Sequence, residues 1–197
     1  MADPKQLVKL AERVAELARE LGIETALIGA AALAVHNYER STKDLDLGTN
    51  VDPVLYLSKL ELAVKALGLH TALRLPDDED PIGGVLDVSD RVDEDGDLID
   101  PIQIVNFYNP YRPRRTPGAD AVKRAVVIGG GSTLRCVRLP DLIALKLDAG
   151  SLRDDADVVE LLFRNPGVDL EEVRATCEPY GSGARLEELI AAALASR

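Results

Sequence analysis

Ile28-Gly29-Ala30-Ala31-Ala32-Leu33-Ala34-Val35, followed closely by Arg40-Ser41-Thr42-Lys43-Asp44-Leu45-Asp46-Leu47, is the stretch that decides the fold of this chain. Residues 25–28 are short and apolar, as a buried strand is, and Gly29 breaks them. Residues 30–35 are small and apolar enough to start a tightly packed helix, and residues 44–49 alternate polar with apolar, as a strand does. A strand that stops at glycine and turns into a helix presents backbone N–H groups where phosphate binds. Glycine lets the phosphate approach without meeting a side chain. In the extended segment, residues two apart share a side, so Asp44 and Asp46 offer neighbouring carboxylates while Leu45 and Leu47 face the core. Crowded carboxylates repel unless a cation sits between them. Such all-oxygen groups suit a hard cation, Mg²⁺, which also binds substrate phosphates. Phosphoryl transfer gains from two such ions about 3.5–4 Å apart, clamping the attacking and leaving oxygens.

A bare Asp-x-Asp is more often a half-exposed strand with solvated acids. The context sets this one apart. The pair follows a strand–Gly–helix unit within one short element, and a cation (Arg40) and a hydroxyl (Thr42) alternate with the acids.

Working outward, Asp3-Pro4 reads as a helix start, with Leu7, Leu10, Val14, Leu17 and Leu21 at helical spacing and Gly22 as the stop. Asp52-Pro53 opens a second amphipathic helix that ends at Gly68. Strand-like segments follow at residues 70–75, 85–92 and 98–107, the last two flanking the turn signal Asp95-Gly96. Residues 109–118, with three prolines, read as a loop. Residues 126–128 and 134–139 bracket Gly129-Gly130-Gly131 as a hairpin, and four helices follow from Pro140 onward. This order argues an α+β fold: a small mixed β-sheet with flanking helices and a C-terminal helical segment. A boundary near residue 139 divides a core, 1–139, from a helical segment, 140–197, with room for both to share one core.

The 197 residues, 46% hydrophobic and 29% charged, are those of an ordinary globular chain. No run of about 18 apolar residues is present to span a membrane. The first residues lack a signal-peptide layout, and Cys136 and Cys177 stand far apart, as buried small side chains rather than a disulfide or zinc site. The chain reads as cytoplasmic. A net charge of −11 favours a small, metal-complexed substrate over a broad nucleic-acid surface. The one basic cluster is Arg112-Pro113-Arg114-Arg115. Asp93-Glu94-Asp95-Gly96 lacks the end ligands of a calcium loop, and Gly129-Gly130-Gly131-Ser132 lacks the lysine of a phosphate-binding loop. His36 and His70 have no partner at metal-ligand spacing, and His36 reads as structural.

Residues 28–32 and 40–47 resemble the signature of polymerase-beta-type nucleotidyltransferases, in particular the abortive-infection toxin and minimal nucleotidyltransferase branch. Leu142-Ile143-Ala144-Leu145-Lys146, Ala149-Gly150, and then Asp154 and Asp157, are similar to that branch's lysine helix and Asp-x-x-Asp helix. The resemblance implies Mg²⁺-dependent transfer of a nucleoside monophosphate from a nucleoside triphosphate to an acceptor hydroxyl, on RNA or protein. It implies an antitoxin protein as partner. Gly29 and Ala30 would hold the triphosphate through backbone N–H groups, with Arg40 and Thr42 beside them. Asp44 and Asp46 would bind Mg²⁺, and Lys146 would neutralise phosphate on a wall shaped by Asp154 and Asp157.

One position departs from the pattern. The third acid, flanked by apolar residues on a later strand, is replaced by Gln103 between Ile102 and Ile104. Glutamine offers a neutral oxygen but cannot take a proton. Asp100, if Pro101 marks a bulge, and Asp87 are the substitutes, and Asp100 is taken as the third catalytic acid. A nucleotide- or partner-binding module on the same fold, without catalysis, is the alternative.

Overall fold

The computed structural model describes residues 4–40 and 44–196. The chain opens with α1 (Pro4–Glu20), whose Leu10, Ala11, Val14 and Ala18 recur on one stripe and are buried, and Gly22 at φ +78° turns the chain out of the helix. β1 (Ala26–Leu27), α2 (Gly29–Val35) and β2 (Leu45–Thr49) follow. Asp52 accepts a hydrogen bond from the Leu55 N–H and starts a π-helical turn, Pro53–Leu57, that runs into α3 (Ser58–Ala66). Then come β3 (His70–Arg74), β4 (Val85–Ser89), β5 (Ile102–Asn106), α4 (Pro117–Arg124), β6 (Val126–Val127) and β7 (Arg135–Cys136). Four helices close the chain: α5 (Leu139–Ala149), α6 (Leu152–Arg164), α7 (Leu170–Cys177) and α8 (Gly183–Ala195).

The strands form one mixed sheet in the order β3-β4-β5-β2-β1-β7-β6. β2 runs antiparallel to β1 and parallel to β5, and β5 runs antiparallel to β4. Leu45 and Leu47 of β2, Ile102 and Ile104 of β5, and Leu86 and Val88 of β4 are buried on one face, where α1 and α3 pack. The other face carries Asp46, Gln103 and Asp87, because side chains alternate along each strand.

Two local expectations are revised. Residues 85–92 and 98–107 do not zip into one long hairpin. β4 and β5 pair from Val88↔Ile102 inward, and residues 90–101 form an excursion pinched by a single bridge between Val92 and Leu98. Its tip is a turn, with the Asp93 carboxylate accepting from the Asp95 and Asp97 N–H groups. The proline-rich loop is also shorter than expected, since Pro117 is a helix-starting residue that opens α4 and buries Ala121 and Val122.

The C-terminal helices are tied to α4 and to one another by charge as well as by packing. Asp141, 1% exposed at the start of α5, accepts from Arg124 of α4 and from Arg138. Arg138 also reaches Glu172 of α7 at 2.7 Å. The apolar core is continuous from α1 through the sheet into α5, α6 and α8. No helix among the described residues is long and apolar enough to cross a membrane.

Candidate functional site

β2 is the second strand of the opening unit, and its alternation decides where the acids go. Leu45 and Leu47 anchor it in the core, which turns Asp46 onto the opposite face, with Asp44 just before the strand. The Asp46 carboxylate lies against Gly29 at the start of α2. A Cβ built on Gly29 would collide with Oδ2 of Asp46 and come within 2.9 Å of its Cγ. Gly29 also sits at φ +56°, a conformation glycine adopts without strain. Ile28, before it, caps the helix with no side-chain hydrogen bond, and Ala30 is buried behind it. Asp46 and the strand–Gly–helix turn therefore meet at one point.

Burial pushes the Asp46 carboxyl up to about 6, and the neighbouring charge of Asp44 adds to the rise, with Asp87 contributing further. Lys146 and Arg40 act in the opposite direction. Three acids and two cations thus share one field, and burial sets the direction of the shift.

The cations belong to a second wall. Lys146, on α5, places Nζ 2.8 Å from Asp154 Oδ1 and 2.8 Å from Asp157 Oδ2, both on α6. Arg40 approaches the same Asp157 from the loop after α2, with Nη1 3.2 and 3.1 Å from the two oxygens. Asp157 is 2% exposed and fully engaged. Asp154 is fixed by a reciprocal cap with Ser151 at the start of α6. Burial would raise its carboxyl, but the hydrogen bonds from Lys146 and Ser151 hold it below the usual range. Arg40 Nε is buried without a hydrogen-bond partner among the described residues. The structure therefore joins Gly29, Arg40, Asp44 and Asp46 to Lys146, Asp154 and Asp157, from segments about 100 positions apart. Thr42 lies outside the described residues.

Asp100 is not brought to this group. It takes φ +46° before Pro101, pairs with Arg91 at 3.2 Å, and lines a small cleft with Gln6 and Leu7 of α1, on the leucine side of the sheet. The residues beside Asp46 are others. Asp46 is the register partner of Gln103, and Gln103 is the register partner of Asp87, so the three lie in a row across β2, β5 and β4. One Asp87 oxygen, Oδ1, is buried and has no partner among the described residues. Burial raises the Asp87 carboxyl, Asp44 raises it further, and a hydrogen bond from Gln103 opposes both. The signal for Asp87 was in the sequence: Leu86-Asp87-Val88 is an acid flanked by apolar residues on a later strand.

Among the described residues, no group of three or more His, Cys, Asp or Glu side chains converges as a metal site. Asp46 feels the neighbouring charge of Asp44, and Gln103, a neutral oxygen donor, stands at the adjacent register position. That set suits one hard cation completed by substrate phosphates. The raised Asp46 carboxyl, crowded by Asp44, is the group such a cation would relieve.

His36 hydrogen-bonds through Nε2 to the Val137 carbonyl at 2.8 Å, and burial lowers its pKa, so it is neutral and structural at pH 7. Cys136 and Cys177 are buried free thiols, each pushed up to about 12 by burial. Neither can serve as a nucleophile.

The mixed sheet with its flanking helices is the nucleotidyltransferase fold, shared with the solved structures on which the chain superposes. The chain superposes on an antigenic nucleotidyltransferase-like protein from Paracoccidioides brasiliensis with a TM-score of 0.56 and 16% identity, over 95% of this chain and 93% of that one. It superposes on the solution structure of the antibiotic-resistance factor ANT(2'')-Ia with a TM-score of 0.52 and 15% identity, over 95% and 97%. At these identities the likeness is one of fold. No family model and no curated protein matches the chain.

Proposed function

We propose that this protein transfers a nucleoside monophosphate from a nucleoside triphosphate to an acceptor hydroxyl, with a divalent cation on Asp44 and Asp46. The observation that carries the reading is the contact of the Asp46 carboxylate with Gly29, within the field of Lys146 and Arg40. The strand–Gly–helix turn, the acid pair and the cationic wall lie together, which supports their roles as phosphate-binding turn, metal ligands and phosphate-neutralising wall.

Each residue has a stated task. Gly29 and Ala30 offer backbone N–H groups to the phosphates. Lys146, oriented by Asp154 and Asp157, offsets phosphate charge from the opposite wall. A bound Mg²⁺ would polarise the phosphoryl oxygens and offset their negative charge. The acceptor oxygen forms a bond to the α-phosphorus, the bond from that phosphorus to the bridging oxygen breaks, and pyrophosphate leaves. The acceptor proton passes to Asp87, whose raised carboxyl, with an oxygen unpartnered among the described residues and on the same sheet face, suits it better than Asp100. The toxin-branch motifs support an RNA or protein acceptor and an antitoxin partner.

A second reading has its own observation. Gln103 stands beside Asp46 where a third acid would be, which favours a module that binds the triphosphate without reacting it. Incubation of the four triphosphates with Mg²⁺ and cell extract as acceptor source separates the two. Pyrophosphate release that disappears in Asp44→Asn/Asp46→Asn is expected. Triphosphate binding with no release above that of the variant would contradict transfer and leave the binding module.

A further inference from the structure

The sheet face that carries Asp46 does not end at the acids. Gln103, Val105 and Phe107 alternate onto it, and Phe107 lies four residues beyond Gln103, about 13 Å at the rise of an extended chain. The Phe107 ring rests on Gly48 of β2, where a Cβ would come within 2.7 Å of Cε2, and on Gly118 of α4. Around it open two cavities, of about 410 and 290 Å³, which share Pro81, Phe107, Arg114 and Thr116 as walls. The smaller reaches Leu145, Asp148 and Ala149 on α5, beside Lys146. The larger is walled by Tyr108, Arg112, Arg114 and Arg115.

The three guanidinium groups are held in place. Arg114 forms a paired contact with Asp148 at 2.9 and 3.0 Å, and Arg115 lies 5.5 Å above the Tyr180 ring and 3.9 Å from Asp120. Arg112 donates to the neutral carbonyl of Glu79. Three arginines against Asp120 and Asp148 leave a positive hollow on a chain whose net charge is −11. Guanidinium groups with an aromatic wall match phosphodiester oxygens and the faces of bases.

From this placement we infer that the hollow holds a single-stranded oligonucleotide whose terminal hydroxyl extends toward Asp46. The inference rests on the transfer reading above and names its acceptor. Phe107, on the wall of the hollow, lies about 13 Å along the strand from Gln103 beside Asp46, a separation that a strand of linked nucleotides bridges. Arg112, Arg114 and Arg115 take phosphates, and Tyr108, 42% exposed, stacks a base.

The test is fluorescence anisotropy with a labelled single-stranded RNA of about eight nucleotides, in chelator and without triphosphate. Failure there leaves the nucleotide site untouched. Binding is expected to fall by roughly 20-fold between about 50 and 200 mM salt, as three phosphate contacts require. Arg112→Glu is expected to weaken it at least tenfold while binding triphosphate with Mg²⁺ as the wild type does, and Arg112→Ala to weaken it less. Equal affinity in wild type and Arg112→Glu, or no binding at the lower salt, would overturn the inference. Displacement of the RNA by an equal concentration of mononucleotide would overturn it too, because the site would then be that of a small phosphate.

Discussion

The Asp46 carboxylate occupies the space that a side chain on Gly29 would fill. The contact links the strand–Gly–helix turn to the acid pair, and each fixes the other's position. Gly29→Ala must therefore displace Asp46 and also adopt φ +56°. It is expected to cost more than the ~1 kcal/mol of an unfavourable backbone conformation. A double-mutant cycle checks this by chemical unfolding in chelator. In an Asp46→Ala background the cost of Gly29→Ala should shrink to the backbone part, whereas an identical cost in both backgrounds would contradict the contact.

Much of this pairing was legible in the sequence. Gly29 after an apolar strand, and the polar–apolar alternation through Asp44 and Asp46, are local signals and sufficed. Lys146 with Asp157 depended on resemblance, because a lysine and an acid on helices look alike whether solvated or buried. That Arg40 crosses 117 positions to reach Asp157 is a tertiary fact with no local trace. Asp100 looked close to the site because it is near Gln103 in sequence. Its positive φ and its pairing with Arg91 turn it to the other face, while Asp87 arrives by strand pairing from 16 positions upstream of Gln103.

The raised Asp46 carboxyl makes stability depend on pH. Its folded value is about 6, against about 4 in the unfolded chain. The folded state thus holds this proton more tightly. The resulting stabilisation is fully present below about pH 4 and is lost as pH rises through about 6. A two-unit shift corresponds to about 3 kcal/mol at most. In chelator, Asp46→Asn is expected to gain stability relative to wild type as pH rises from about 4 to 7. Parallel stability curves across that range would show that Asp46 is not a crowded, desolvated acid.

Asp157 is the buried keystone of the cationic wall, 2% exposed between Arg40 and Lys146. Asp157→Ala takes the acid from Arg40 at a partly buried position and leaves Lys146 with Asp154 alone, and is expected to cost about 3 kcal/mol in chemical unfolding, as broken buried pairs do. A loss below about 0.5 kcal/mol, in the range of an exposed pair, would mean that the wall is solvated.

The central claim is that Asp44 and Asp46 bind a cation together with a nucleoside triphosphate. Without the cation, the acid pair and the triphosphate repel each other. The most direct measurement is calorimetric titration with ATP, CTP, GTP and UTP in Mg²⁺ and in chelator, on wild type and on Asp44→Asn/Asp46→Asn. At least one triphosphate is expected to bind the wild type in Mg²⁺, with no binding in chelator and none to the double variant in Mg²⁺. Equal affinity with and without Mg²⁺, or undiminished Mg²⁺-dependent binding to the double variant, would contradict the account.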